Sequence, residues 1–71
     1  MPIISVVLGE GRSDHQKRAL CRLLTDAAVE AIGVQSDQVR VILHETRLEH
    51  YAVGGVTFAE RANGSAEVST E

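Results

Sequence analysis

The residue with the clearest potential for chemistry is Pro2, which directly follows the initiator methionine. If Met1 is removed, the Pro2 nitrogen becomes a secondary amine at the head of an apolar, β-branched run that extends to Leu8. A terminal amine has an ordinary pKa of about 7.7 to 8.0. Apolar surroundings and nearby arginines both disfavour the charged amine, so its pKa falls toward neutral pH, where a general base works best. We therefore predict that Pro2 is a general base; the alternative is that it only begins a strand.

Two arginines and one tyrosine are candidates for binding an anionic substrate. Arg12 lies just before a predicted helix, whose N-terminus favours anions. Arg40 lies between valines in a predicted strand, where a charge is costly unless it has a partner or faces a pocket. The alternatives are a solvated loop cation for Arg12 and, for Arg40, an ion pair with Glu45 or with an acid of another chain. Tyr51 is either an aromatic pocket wall or ordinary packing.

The other reactive side chains indicate neither a metal site nor a cysteine nucleophile. Cys21 is the only cysteine, lies within a predicted helix and has no nucleophile signature around it. Two glycines around Glu10 are too sparse for a phosphate-binding loop. The histidines show no ligand spacing, so we predict no metal and no cofactor. They are His15, His44 and His50.

Length and composition predict one small domain, residues 1–61, followed by a mobile tail, residues 62–71. The chain has 71 residues, of which 44% are hydrophobic and only 3% aromatic. A chain this short hides only about 60% of the surface that its unfolded form exposes. Because no disulfide can compensate, we predict an oligomer that completes its core between subunits.

Net charge and hydropathy indicate which partners and which cellular location to expect for this chain. The formal net charge is −3, which argues against nucleic acid, because phosphate binding requires clustered Lys and Arg. No apolar run approaches the roughly 20 residues that span a bilayer, and no signal peptide is visible. A lone thiol without an export signal favours the cytoplasm.

The pattern along the chain predicts a βαβ unit. Residues 3–8 form a strand with both faces largely buried, and residues 39–45 form a second strand. Between them, apolar residues at three- and four-residue spacing predict a helix from Asp14 to Ile32, with a capping box at Ser13 and a stop at Gly33. The Gly54–Gly55 pair predicts a turn, and residues 56–59 a short strand or hairpin arm that docks on a neighbouring subunit. The two strands should be parallel, and dimerisation should complete their sheet.

Four segments together resemble one enzyme family, although none of them is diagnostic alone. They are Met1-Pro2-Ile3-Ile4, Glu10-Gly11-Arg12-Ser13-Asp14-x-Gln16-Lys17, Val39-Arg40-Val41-Ile42 and His50-Tyr51-Ala52-Val53-Gly54-Gly55. Over residues 1 to 60 the chain is similar to the 4-oxalocrotonate tautomerase family. Gly9 departs from the family, because a bulky apolar residue is common at that position.

The resemblance implies an α/β tautomerase fold and a hexamer built from three dimers. It also implies a cofactor-free isomerase that moves a proton in a small anionic 2-oxo acid through a dienol. Pro2 matches the catalytic base, and Arg12 the arginine that holds a carboxylate. Arg40 matches the arginine that reaches in from a neighbouring subunit to steady negative charge. Tyr51 falls where a phenylalanine usually forms an apolar wall.

Two other functions stay open on this scaffold. If Met1 is retained, the Pro2 nitrogen is an amide and cannot act as a base, and the chain would be a non-catalytic assembly or interaction protein. Related proline-dependent chemistry, such as decarboxylation or hydration, would use the same residues.

Overall fold

Two parallel strands and one crossover helix organise the fold in the computed structural model, which describes residues 1–62. Strand β1 spans Ile3–Gly9 and strand β2 spans Arg40–Thr46. They pair in parallel, with Ile3 opposite Arg40 and Gly9 opposite Thr46. Helix α1, Asp14–Ile32, connects them. The βαβ prediction is confirmed, and Gly9 and Thr46 extend the strands while Val39 lies outside β2.

Helix α1 has the predicted ends because both are encoded locally. At its start, the Ser13 hydroxyl accepts from the Gln16 amide at 3.1 Å, and the Gln16 side chain accepts from the Ser13 amide at 3.0 Å. At its end, Gly33 adopts the left-handed conformation with φ 73° and donates its N–H to Val29 at 3.0 Å. Among the described residues, no helix combines the length and apolar character that crossing a bilayer requires.

A small hairpin follows β2. A 3₁₀ turn, Leu48–His50, leads into strand β3, Ala52–Val53, which pairs antiparallel with strand β4, Val56–Thr57. The hairpin turn lies at Gly54 and Gly55, both at positive φ, as their pairing in sequence predicts.

The predicted extension of the last strand to residue 59 is wrong. A helical turn begins at Phe58 and continues to residue 62. The Thr57 hydroxyl accepts a hydrogen bond from the Glu60 amide at 3.1 Å, which is how a threonine caps a helix start. Of the predicted mobile tail, residue 62 belongs to this turn, and residues 63–71 lie outside the described residues.

The packing is one-sided. Burial alternates along both strands, so Ile4, Val6, Leu8, Val41 and Leu43 are half-buried while their neighbours in the strands are mostly exposed. The opposite face carries Ile3, Val7 and Ile42, which are 65%, 69% and 45% exposed. None of the described residues is fully buried. The prediction that β1 is covered on both faces therefore fails within one chain, and the single chain lacks a closed core.

An ion pair connects α1 to β2. Lys17 Nζ lies 2.9 Å from Glu45 Oε2 and 3.6 Å from Asp14 Oδ1. The hydrogen bond from Lys17 to Glu45 raises the pKa of the Lys17 ammonium above its ordinary value, and both carboxylates add to the effect. Because the raised pKa belongs to the folded state, this stabilisation is present below the unfolded pKa. It is lost as the pH rises through the folded pKa.

We expect Glu45→Gln to lower the Lys17 pKa toward its ordinary value, because the principal hydrogen bond then loses its charged acceptor. The measurement is an NMR titration of the lysine side chain between neutral and strongly alkaline pH. Glu49→Gln is the matched control, since Glu49 pairs with Arg47 at 3.4 Å and should leave Lys17 unchanged. An identical Lys17 titration in wild type and Glu45→Gln would contradict the assignment.

Candidate active site

Pro2 and Arg40 lie side by side at the amino-terminal ends of β1 and β2. The Arg40 N–H donates to the Pro2 carbonyl at 3.0 Å, one step before Ile3 pairs with Arg40 in the sheet. Pro2 is half-buried and Arg40 is exposed. The backbone pairing therefore holds the proline ring at a fixed place beside a cation-bearing strand. In the full chain the Pro2 nitrogen is bonded to Met1, so basicity requires removal of the methionine.

The Arg40 side chain lies on the uncovered face of the sheet. Arg40 and Ile42 are exposed, while Val41 and Leu43 face α1. The expected alternative, an ion pair between Arg40 and Glu45, does not form, because Glu45 pairs with Lys17. The five-residue separation also puts Arg40 and Glu45 on opposite faces of β2. Arg40 is thus oriented toward whatever covers this face.

Arg12 and Tyr51 lie together at the other end of β1. They line a cavity of about 390 Å³ at the carboxyl end of the strand. The Gly9–Gly11 backbone and Leu48 contribute to its walls. An arginine beside a half-open apolar wall can bind a carboxylate while an adjacent carbon chain contacts the wall.

Tyr51 is held in this cavity by an aromatic partner that the sequence analysis missed. The Tyr51 and Phe58 rings stack with centroids 4.3 Å apart and an interplanar angle of 21°. The Phe58 N–H donates to the Tyr51 carbonyl at 2.7 Å, and the Arg61 guanidinium lies 5.7 Å from the Phe58 ring centre. The only signal in the sequence was that these are its sole two aromatic residues, seven positions apart.

Glu10 is a second residue that the sequence analysis did not assign. Its carboxylate accepts from the Leu48 N–H at 3.3 Å, and its own N–H donates to Thr46 at 2.9 Å. These bonds fix the start of the 3₁₀ turn that immediately precedes Tyr51. Among residues 1–62, no group of three His, Cys, Asp or Glu side chains is arranged to hold a metal ion.

One chain does not bring all the predicted site residues together. Pro2 and the backbone of Arg40 lie at one end of β1, and Arg12 and Tyr51 lie at the other, and we call these two ends the half-sites. Seven residue steps separate Pro2 from Gly9, which corresponds to roughly 23 Å at about 3.3 Å per residue. A site that contains both halves therefore needs residues from more than one chain.

Known proteins resemble this chain over nearly all of its described part. A family model described as tautomerase enzyme matches residues 2–61. A 2-hydroxymuconate tautomerase of Bacillus subtilis is 42% identical over 55 residues, which cover 78% of this chain and 89% of the relative. A probable tautomerase of Halalkalibacterium halodurans is 43% identical over 61 residues, which cover 86% of this chain and all of the relative.

Solved structures agree with these sequence matches. TomN, a 4-oxalocrotonate tautomerase homologue of the tomaymycin biosynthetic pathway, has a TM-score of 0.86 and 45% identity. That match covers 92% of this chain and 100% of TomN. A heterohexameric 4-oxalocrotonate tautomerase of Chloroflexus aurantiacus has a TM-score of 0.81 and 40% identity, over 84% of this chain and 97% of the other. The predicted fold class is thereby confirmed.

Proposed function

The chain belongs to the tautomerase enzyme family, and we propose that it is a cofactor-free isomerase that moves a proton within a small unsaturated 2-oxo acid. The observation that carries this proposal is the position of Pro2 at the head of β1, with its carbonyl bonded to the backbone of Arg40. Once Met1 is removed, this arrangement presents a secondary amine at the head of β1, next to the first residue of β2. Relatives named 2-hydroxymuconate tautomerase support a 2-hydroxydienoic acid as the substrate.

The proposed reaction is one proton removal and one proton return. The neutral Pro2 nitrogen takes the proton from the 2-hydroxyl group of the dienol, and the resulting dienolate carries negative charge on that oxygen. The protonated amine then delivers the proton to a carbon of the conjugated chain, which leaves a 2-oxo group and a shifted double bond. Atoms and charge balance, and no external reagent is consumed.

The arginines have separate roles in this proposal. Arg40 of a neighbouring subunit stabilises the developing negative charge at the 2-oxo end, where a preorganised cation lowers the barrier most. Arg12 binds the distal carboxylate in the cavity at the end of β1, and Tyr51 forms part of the cavity wall. Orientation by two anchors holds the reacting carbon within reach of the Pro2 nitrogen.

The separation of the half-sites supports an assembly in which different chains contribute Pro2 and Arg12 to each site. The exposed apolar face with Ile3, Val7 and Ile42 is a surface that such an assembly would cover. We propose a hexamer of three dimers, each with a sheet completed by the partner chain. One solved relative is a heterohexamer, which supports an assembly of six chains.

The proposed setting is the catabolism of aromatic compounds in the cytoplasm. A ring-cleavage route would supply the small 2-hydroxydienoic acids that this chemistry requires. The single cysteine, Cys21, fits a reducing compartment.

Mixing two defective chains tests the proposal directly. Pro2→Ala and Arg12→Ala chains, each of low kcat/KM with 2-hydroxymuconate, are unfolded together and refolded in equal amounts. If each site takes the two residues from different chains, about one quarter of the sites regain both, because each residue is intact in half of the chains. Intact mass of the wild-type protein, expected without Met1, accompanies the assay.

The matched control is a chain with both substitutions refolded with wild type in equal amounts. Shared sites again predict about one quarter of the wild-type kcat/KM, whereas sites within one chain predict about half. No recovery in the first mixture together with half activity in the control would refute the shared site. Retention of Met1 in a wild-type protein that lacks turnover would favour a non-catalytic assembly protein.

A further inference from the structure

One edge of the Tyr51 ring lies close to Gly9, the last residue of β1. A Cβ atom built on Gly9 would lie 3.6 Å from Tyr51 Cδ2 and 3.1 Å from Leu48 Cδ2. The distance to Leu48 is shorter than ordinary van der Waals contact between carbons. Leu48 therefore has to shift slightly for a Cβ at position 9, and a longer side chain would also meet the Tyr51 ring.

Gly9 matters for the space it leaves and not for its backbone conformation. The glycines at positive φ in the described part of the chain are Gly11, Gly33, Gly54 and Gly55, and Gly9 is not among them. Any residue can adopt the backbone of Gly9, which continues β1. The feature that glycine supplies here is the absence of a long side chain, which leaves the Tyr51 ring room beside the backbone.

Two contacts position the Tyr51 ring, and a third interaction anchors the turn before it, so the phenol has a defined direction. Phe58 stacks on one face of the ring, Gly9 underlies its edge, and Glu10 anchors the turn through the Leu48 amide. Fixing a side chain before a ligand arrives removes part of the entropy that binding would otherwise cost.

The Tyr51 hydroxyl has no hydrogen-bond partner among residues 1–62. Tyr51 is 36% exposed and lines the cavity that Arg12 also lines. A phenol placed in this way can donate to an anion that the guanidinium attracts. Hydrogen bonds to ionised acceptors are roughly twice as strong as those between neutral groups.

We propose that Gly9 and Tyr51 form a specificity-determining pair, in which the bare backbone of Gly9 positions the Tyr51 hydroxyl to donate a hydrogen bond to the carboxylate bound by Arg12. This inference rests on the proposed function, because it concerns the substrate of the same site. Its consequence is a preference for substrates with a second carboxylate beyond the one next to the 2-oxo group. A Tyr51→Phe variant would keep the apolar wall of the cavity but would show a weaker preference for these dicarboxylate substrates.

Ligand binding to Tyr51→Phe tests the hydroxyl without requiring turnover. Calorimetry compares adipate, an unreactive dicarboxylate, with hexanoate, a monocarboxylate of the same length. We expect Tyr51→Phe to weaken adipate binding about tenfold or more and to leave hexanoate unchanged, because only adipate presents the second carboxylate. An adipate-to-hexanoate affinity ratio equal to that of wild type would overturn the proposal. Tyr51→Phe keeps the ring that stacks on Phe58, so the fold should be retained.

Substitution of Gly9 tests the pairing. Gly9→Leu must displace Leu48 and the Tyr51 ring, and we expect it to lower the adipate-to-hexanoate ratio about as much as Tyr51→Phe does. Gly9→Ala is the graded control, since the Leu48 methyl group can retreat from a single Cβ. The double variant Gly9→Leu/Tyr51→Phe should add little further loss, because both changes remove the same contact. Fully additive losses would show that the two residues act independently and would overturn the pair.

Measurements of turnover distinguish a failure of this inference from a failure of the proposed function. kcat/KM is measured for 2-hydroxymuconate and for 2-hydroxypenta-2,4-dienoate, which lacks the distal carboxylate. If wild type converts neither dienol, the isomerase proposal fails, while the adipate and hexanoate affinities still decide the role of Tyr51. If wild type converts both and Tyr51→Phe leaves the ratio of kcat/KM unchanged, the inference fails and the isomerase stands.

Discussion

Blocking the Pro2 nitrogen is expected to lower kcat for 2-hydroxymuconate by about 10²- to 10⁴-fold, the usual contribution of a positioned general base. The block is made by placing one residue that is not processed in front of Pro2, so that the nitrogen becomes an amide without a basic lone pair. The head of β1 tolerates this addition, because the Pro2 carbonyl still accepts from the Arg40 amide. Initial rates at saturating 2-hydroxymuconate measure the change in kcat.

Pro2→Ala is the matched comparison. It keeps a terminal amine after methionine removal but loses the ring that fixes the nitrogen, so we expect a smaller loss than in the blocked chain. A blocked chain that retains wild-type kcat, with the extra residue verified by intact mass, would rule out Pro2 as the base. Equal losses in both variants with a disturbed oligomer would instead indicate a structural role.

Replacing Arg40 with glutamine is expected to lower kcat by about 10²- to 10³-fold, or roughly 2.7 to 4 kcal/mol in the activation barrier. The reason is that the dienolate loses the cation that stabilises its developing charge, whereas the ground state loses less. Steady-state kinetics should therefore show a large fall in kcat with a smaller change in KM. The fold should be retained, because Arg40 is exposed and its backbone amide, which bonds Pro2, is unchanged.

Two further variants control for charge. Arg40→Lys keeps the positive charge without the planar fork of guanidinium donors, and we expect a kcat between those of wild type and Arg40→Gln. Arg22→Gln removes an exposed arginine from α1 and should leave kcat unchanged. A wild-type kcat in Arg40→Gln would remove this residue from the mechanism, and an equal loss in Arg22→Gln would point to net charge alone.

In the C-terminal segment, the local sequence pattern predicts only part of the secondary structure. Gly54 and Gly55 predicted the turn correctly, because positive φ is a property of the residues themselves. The segment after the turn was predicted as strand through residue 59, yet a helical turn starts at Phe58. Its ring stacks on Tyr51, and its amide bonds the Tyr51 carbonyl. This contact joins residues on both sides of the hairpin, so neither flanking sequence encodes it alone.

The partner of Glu45 is a second feature that the local sequence pattern does not predict. Arg40 and Glu45 are near in sequence, and the sequence left their pairing open. The structure pairs Glu45 with Lys17, 28 positions away, because the crossover places α1 over one face of β2. Arg40 is exposed on the other face because successive side chains of a strand point to opposite faces.

The sequence by itself determined the strand–helix–strand order, both ends of α1 and the turn at Gly54–Gly55. These features depend on side-chain periodicity, capping and backbone preference over a few residues, which are readable without knowing what packs where. Only the tertiary structure decided that Glu45 pairs with Lys17 and that Gly9 lies against Tyr51. Both depend on distances between residues far apart in the chain, and such distances are fixed by how the elements pack.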